Sequence, residues 1–291
     1  MPSFRIKLLI CVLAAALILS GCTMGVAAES TAAPSAGTTA VQGTLEVHFL
    51  DVGQADCILI RQGAAAMLID AGNNADGPDV VAYLRDHGVN SLDTVIGTHP
   101  HEDHIGGLDL VLLSFPVGTV IMPRVSHTTK TFEDVLGAVE TKGLTVTAPE
   151  TGRSFRVGDA NCTVLAPESA DYDDLNDYSV VVRVTFGDTT FLFTGDAGAD
   201  SENEMLQAGL PLMADALKVG HHGSASSSTT AFLRAVAPAA AVISVGRDND
   251  YGHPASVTLD RLDDIGARVH RTDQSGTVVA YSDGQAVRIE P

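Results

Sequence analysis

The sequence predicts an α/β fold of four layers, an αββα sandwich in which two packed sheets are each covered by helices. Three observations predict it. Short apolar runs of strand character cluster along the chain, and stretches of helical period fall between them. Several of the strand-like runs end abruptly in His or Asp beside Gly, the pattern of a sheet edge that carries a site. At 291 residues with 45% hydrophobic content the chain can bury a sizeable core.

The elements follow in order. Leu45–Val52, Cys57–Arg61 and Ala66–Ile69 read as opening strands, rich in Val, Ile, Leu and Phe. Pro78 and Gly88 punctuate a helix over Pro78–His87. Leu92–Thr98 reads as a short buried strand, followed by a helix near Ile105–Ser114, a strand near Thr119–Met122 and a helix near Thr131–Lys142. Strands come next around Leu144–Thr147, Phe155–Val157 and Cys162–Ala166. Gly187-Asp188 between Ser179–Phe186 and Thr189–Thr194 is a hairpin signal. The last third alternates: strand Ala216–Val219, helix Ser226–Val236, strand Ala240–Val245, helix Ser256–Ile265, then strands Arg268–His270, Thr277–Tyr281 and Ala286–Ile289.

The N-terminus belongs to a different class. Arg5 and Lys7 precede the apolar run Leu8–Leu19, a charged n-region and a hydrophobic stretch too short to cross a bilayer comfortably. It closes in Leu19-Ser20-Gly21-Cys22, which resembles the bacterial lipobox. That resemblance implies a signal peptide over residues 1–21, lipidation of Cys22 and anchoring at the extracellular face of the cytoplasmic membrane; an ordinary cleaved signal with a secreted product, or an uncleaved anchor, is the alternative. Residues 22–43, dominated by Ala, Ser, Thr and Gly, cannot bury a core and read as a flexible tether. Residues 44–291 carry no linker-like break and read as one domain. Cys57 and Cys162 sit in apolar runs and read as buried free thiols. The formal net charge is −19, and removing Arg5 and Lys7 makes it more negative still. Such a surface repels polyanions at long range and does not resemble that of a non-specific nucleic-acid binder, while a cation-loaded site still holds a phosphate locally.

His99-Pro100-His101-Glu102-Asp103-His104 puts three imidazoles and two carboxylates into six residues ahead of Gly106-Gly107. Imidazole nitrogen and carboxylate oxygen suit zinc, manganese or iron. Pro100 disfavours a helical His99, so the run begins at a strand end. A loop of this kind splits its ligands, with His99 and His101 on one cation and Asp103 and His104 on a second about 3.5–4 Å away. Further candidates end other strands. Asp196 follows Phe191–Thr194 and could bridge both cations; His221 and His222 follow Leu217–Val219; Asp70 follows Met67–Ile69 and suits a carboxylate that orients a histidine ligand. His48, His87, His127 and His270 have no such company and read as surface or packing residues.

In this order, Asp70, His99–His104, Gly195-Asp196 and His221-His222 resemble the metallo-β-lactamase-fold hydrolases. Phe49–Asp56, Thr98–Gly107, Thr194–Asp196, Lys218–Ser224, Tyr251–Pro254 and Arg271–Asp273 are similar, more narrowly, to the extracellular hydrolase domain of ComEC-type DNA-uptake proteins, over about residues 44–285. The resemblance implies two divalent metal ions, zinc or manganese, and hydrolysis by a metal-bound water. It implies His99 and His101 at the first metal, Asp103 and His104 at the second, Asp196 between them, and His222 closing the second site with His221 turned to substrate. The chain departs from the family in two ways. A further histidine usual between the motif and the bridging Asp is replaced by Asn176-Asp177-Tyr178-Ser179, so water or Asn176 completes the first site. Ala55 stands where the narrower phrase carries glycine.

The expected reaction is hydrolysis of a phosphodiester. Two cations activate a bridging water and neutralise the pentavalent oxygens, with Asp103 or Asp196 accepting the proton. His253 is the candidate to hold the phosphate or protonate the leaving group, and Asn176, Ser179 and Ser224 are candidate substrate contacts. Extracellular DNA is the leading substrate. Cell-wall phosphodiesters such as phosphocholine on teichoic acid, or a non-catalytic metal- or ligand-binding surface lipoprotein, are the alternatives. The membrane is met through the N-terminal lipid, and no stable protein partner is implied.

Overall fold

The computed structural model describes residues 41–290. The expected signal peptide, Cys22 and nearly all of the expected tether lie outside the described residues. The first half runs β1 (Leu45–Phe49), β2 (Ile58–Gln62), β3 (Ala65–Ile69), α1 (Gly77–Asp86), β4 (Leu92–Ile96), α2 (Glu102–Ile105), α3 (Leu108–Ser114), β5 (Val117–Ile121), α4 (Lys130–Thr141) and β6 (Val146–Thr147). The second half runs β7 (Ser154–Val157), β8 (Ala160–Ala166), β9 (Val181–Phe186), β10 (Thr189–Phe193), α5 (Ala199–Gln207), β11 (Ala216–Lys218), α6 (Thr230–Val236), β12 (Ala240–Ile243), α7 (Ser256–Asp264), β13 (Arg268–Arg271), α8 (Thr272–Ser275), β14 (Val278–Ser282) and β15 (Val287–Glu290).

Among the described residues these strands form two sheets. One has the order β15-β14-β1-β2-β3-β4-β5-β6 and the other β13-β12-β11-β10-β9-β8-β7. β3 through β6 are parallel, and so are β10 through β13. A parallel stretch puts its strand ends on one edge, which is where loops bearing functional groups collect.

Period-two alternation explains the layers. Met67, Ile69, Val182, Val184, Phe191 and Phe193 point between the sheets into one apolar cluster. Their neighbours Ala66 and Leu68 pack outward with Val80, Leu84, Leu108, Leu112 and Val135 of α1, α3 and α4. On the far side, Leu192 and Leu217 pack with Met205, Phe232, Leu233 and Leu262 of α5, α6 and α7. Two sheets covered on both faces by helices are the four-layer αββα sandwich that the sequence predicts. Cys57 and Cys162 are buried free thiols. No helix among the described residues is long and apolar enough to cross a membrane.

Four elements differ from the sequence reading, one of them the one-turn helix α8, for which the sequence offers no expectation. The single helix expected near Ile105–Ser114 is two, α2 and α3, broken at Gly106-Gly107. A Cβ at Gly106 would lie 2.2 Å from Asn73 C and Asn74 N, and one at Gly107 would lie 2.4 Å from Ala71 O. The glycines therefore let the loop after β3 close over the histidine motif. α6 starts only after Thr229, whose Oγ1 accepts from Phe232 N–H, so residues from Ser226 precede the helix. α5 was not anticipated at all. Its sequence Ala-Asp-Ser-Glu-Asn-Glu-Met-Leu-Gln is mostly polar and buries Met205 as its one large apolar residue, so it shows no apolar stripe.

Candidate metal centre

The ends of β3, β4, β10, β11 and β12 meet at one edge of the sandwich. Beyond β4, His99 is fully buried. His101 caps α2 with extended backbone (φ −80°, ψ 149°), and the turn doubles back so that Asp103 and His104 return beside His99. The rings of His99 and His104 are 4.1 Å apart, and His99 Nε2 is 3.0 Å from His101 Nδ1.

Asp196 sits at the centre. Its Oδ2 lies 3.3 Å from His104 Nε2, 3.6 Å from His221 Nε2, 3.7 Å from His222 Nε2 and 4.0 Å from His99 Nε2. Asp103 Oδ2 is 3.2 Å from His222 Nε2 and 3.7 Å from His104 Nε2. Asp103, His104, Asp196 and His222 thus each offer a ligand atom, all within 4.8 Å of one another. His99 and His101 offer a further donor pair, with His99 Nε2 4.0 Å from Asp196 Oδ2.

The nitrogens turned away from this centre are held by hydrogen bonds, which fixes the ring orientation. Asp70 accepts from Thr98 N–H at 2.8 Å, Thr98 Oγ1–H at 2.7 Å and His104 Nδ1 at 2.8 Å, leaving His104 Nε2 for the site. His222 Nδ1 donates to the Ser244 carbonyl at 3.0 Å. His99 Nδ1 lies 3.1 Å from Thr98 Oγ1 and 3.3 Å from Ser179 Oγ, and Ser179 Oγ also accepts from Asp196 N–H. Asp70, His221 and His222 all have left-handed backbone, with φ of 58°, 49° and 52°. For residues other than glycine this costs on the order of 1 kcal/mol or more each, and such strain collects where side-chain aim matters.

Two observations show that the donor set fits metal ions. His104 Nε2 and Asp196 Oδ1 are buried without a hydrogen-bond partner, and unsatisfied buried atoms of this kind cost about 1–3 kcal/mol each unless a cation binds them. The field also collects positive charge. Burial would raise Asp196 and Asp103, yet the imidazoles around them hold both well below the usual carboxylate range. Burial would lower His222 and His104. Asp196, Asp103 and Asp56 instead raise His222 to about 10, and Asp196, Asp103 and Asp70 hold His104 well above an ordinary imidazole. Nitrogen and oxygen donors without thiolate suit divalent first-row ions. Asp103, His104, Asp196 and His222 could hold one, and His99, His101 and Asp196 another.

A cavity of about 340 Å³ opens over the centre, lined by His101, Asp103, Asn176, Asp196, His221, His222 and His253 among others. Asn176 Oδ1 is buried and unpartnered there. Two sequence expectations are corrected. Ser179 is fully buried beneath His99 and Asp196 and does not line the cavity, so it positions those residues and does not touch substrate. Ser224 does not line it either: its Oγ pairs with Ser226 Oγ, and its carbonyl accepts from Thr258 Oγ1. His127, expected as a surface or packing residue, is half-buried and has its ring 6.3 Å from that of His101. Residues that sequence reasoning left without a role also appear. Gln54, Glu102 and Tyr251 line the cavity, and Asp56 and Lys218 form a buried pair behind His222. Each lies inside a phrase already quoted for the resemblance, and that position was the available signal.

The profile of the metallo-beta-lactamase superfamily matches residues 50–247. The chain is 32% identical over 251 residues to ComE operon protein 3 of Bacillus subtilis (strain 168), covering 80% of this chain and 32% of that protein. It is 30% identical over 240 residues to Recombination protein 2 of Haemophilus influenzae, covering 81% and 28%, and 30% identical over 242 residues to Competence protein ComA of Neisseria gonorrhoeae, covering 78% and 31%. The chain spans about a third of the length of these curated relatives. Among solved structures it is similar in fold to Igni18, a metallo hydrolase from Ignicoccus hospitalis (TM-score 0.54, 13% identity, 81% of this chain and 98% of that one). It is likewise similar to the metallo-beta-lactamase fold protein YhfI from Bacillus subtilis (TM-score 0.52, 14% identity, 81% and 99%).

Proposed function

Because the chain belongs to the metallo-beta-lactamase superfamily, we propose that it is a two-metal hydrolase of phosphodiesters, with DNA as its substrate. The observation that carries this reading is the shared carboxylate: Asp196 Oδ2 lies 4.0 Å from His99 Nε2 and within 3.7 Å of His104 Nε2 and His222 Nε2. Paired cations complement the two non-bridging oxygens of a phosphodiester, which share one negative charge. The names of the competence and recombination relatives support DNA over other phosphodiesters.

When bound, the cations supply Lewis acidity and an activated water. The chain's own residues do the rest. Asp103 and Asp196 stay ionised and keep the ligand cluster closed. Asp103 is a third exposed to the cavity, so its ionised carboxylate can accept a hydrogen bond from the attacking water and orient it. His221, a quarter exposed, faces the same space and can donate a hydrogen bond to a phosphoryl oxygen. Burial, then the neighbouring His221 and His222, lower His253 below an ordinary imidazole, so at neutral pH it is uncharged. It therefore suits an N–H contact to phosphate better than protonation of the leaving group. Asn249 holds its backbone, with Oδ1 accepting from His253 N–H at 3.0 Å and Nδ2 donating to His253 O at 2.7 Å.

The test offers the protein, loaded with manganese or zinc, plasmid DNA, bis-p-nitrophenyl phosphate, p-nitrophenyl phosphocholine and nitrocefin. DNA and bis-p-nitrophenyl phosphate should be cleaved, and His101→Ala should abolish cleavage. Absence of any phosphodiester cleavage, or an unchanged rate in His101→Ala, refutes the reading.

A further inference from the structure

Beside the metal centre lies a larger cavity of about 500 Å³ that the chemistry above does not use. Two short chain segments link its wall to that centre. Tyr178, in its wall, shares the turn Leu175–Tyr178 with Asn176 of the catalytic cavity. Arg124, also in its wall, belongs to the loop after β5 whose His127 neighbours His101. Two exposed guanidinium groups, Arg124 and Arg153, line it together with the hydroxyl-bearing Thr147 and Ser169. In a chain of formal charge −19, positive groups are scarce, and many are already engaged. Arg61, Arg271 and Arg288 pair with carboxylates, whereas neither Arg124 nor Arg153 has an ion-pair partner among the described residues.

A second cavity of about 270 Å³ shares Arg124 and Ala148 with the first. Its other walls are apolar: Met122, Pro123, Phe132, Leu136 and Val146. Leu136 and Val146 are among the few exposed large hydrophobics of the described residues, at 40% and 38% exposure. An apolar slot and a cavity bearing two unpaired guanidinium groups, joined at one arginine, match the two halves of a nucleotide.

We infer that these joined cavities are a nucleotide subsite, which holds the strand of a polynucleotide next to the bond cut at the metal centre. This rests on the phosphodiesterase reading and narrows it to extended nucleic acid. The phosphate lies between Arg124 and Arg153, where a guanidinium fork meets phosphate oxygens in bidentate fashion. The base enters the apolar slot, with Arg124 and Phe132 available for stacking, which tolerates any base. Exposed Glu150 and Glu168 also line the phosphate cavity and oppose the entry of a second phosphate beside the one held by the arginines. A phosphodiester with no second nucleotide gains nothing from this subsite.

The test measures anisotropy of a labelled single-stranded 12-mer on metal-stripped protein, where nothing is cleaved, and KM for the 12-mer and for a dinucleotide on metal-loaded protein. Arg124→Gln with Arg153→Gln should weaken 12-mer binding about tenfold, raise its KM similarly, and flatten the salt dependence of binding. Glu150→Gln with Glu168→Gln should move affinity the other way. Phe132→Ala reports on the slot and should lower 12-mer affinity severalfold. If affinity and KM of the arginine variant stay within twofold of wild type, the subsite is refuted. If poly(glycerol phosphate) displaces the 12-mer at equal phosphate concentration, the occupant is not a nucleotide and the assignment is overturned. Hydrolysis of bis-p-nitrophenyl phosphate by wild type separates the two readings, because its failure refutes the phosphodiesterase reading itself.

Discussion

Lys218 Nζ lies 2.8 Å from Asp56 Oδ2, with both side chains fully buried, and Asp56 Oδ1 stands 3.4 Å from Nδ1 of His222. A charged pair therefore backs the histidine that closes the second ligand set. Burial alone would raise Asp56, but Lys218 and His222 hold it below its ordinary value. The backbone ties the same residue to the motif, since Asp56 N–H donates to the Asp103 carbonyl at 3.0 Å.

Breaking this pair leaves an uncompensated buried charge, which costs about 3–5 kcal/mol. Lys218→Met should destabilise the protein by that amount in urea denaturation. Asp56→Leu combined with Lys218→Met should recover most of the loss, because two buried charges are then removed together. A single variant within about 1 kcal/mol of wild type would show that the pair is not structural.

Asp70 collects three hydrogen bonds and orients His104 while touching no substrate. Asp70→Asn cannot accept all three and should weaken metal binding about 10- to 100-fold. Competition with a chromophoric chelator measures this directly. Unchanged affinity would mean that packing alone holds the His104 ring.

The two ligand sets are unequal, with four donors around Asp103 and His222 and three around His101. Metal titration should resolve a tight and a weaker site. His101→Ala should bind one ion per chain, and Asp196→Ala should lose the tight ion and most of the second. Two ions retained in His101→Ala would contradict the division of ligands.

Away from the centre, Glu202 of α5 accepts from Ser228 N–H at 2.5 Å and Thr229 N–H at 2.9 Å, yet burial raises its carboxyl to about 7. The folded protein then holds this proton more tightly than the unfolded chain does. Its contribution to stability is complete below about pH 4.5 and is lost as pH rises through about 7, a change of about 3 kcal/mol. Glu202→Gln should remove that decline, and the difference between wild type and variant in urea at pH 4.5 and pH 8 measures it. Parallel stability profiles for the two proteins would refute the assignment.

The local signals in this chain were legible wherever one residue type has one use. The hairpin at Gly187-Asp188, the strand ahead of His99 and the helix ahead of Gly88 followed from turn chemistry and apolar runs. α5 escaped because a polar helix leaves no periodic trace, and the break at Gly106-Gly107 escaped because its cause is the backbone of Asn73 and Asn74, distant in sequence. Ser179 and Ser224 looked like substrate contacts because they flank the motifs, but flanking in sequence does not decide which way a side chain faces.

The sequence by itself determined the layer order and the inventory of metal-binding side chains, since alternation sets which face is apolar and imidazole with carboxylate sets the ligand chemistry. Only the tertiary structure decided which groups meet. It brought Asp196, His104 and His222 together from three strand ends, set Asp70 behind His104 and the Asp56–Lys218 pair behind His222, and sent His127 to the rim. The reason is physical. Contacts across a sandwich depend on strand order and on which edge the parallel ends share, and neither is encoded in the spacing of any one motif.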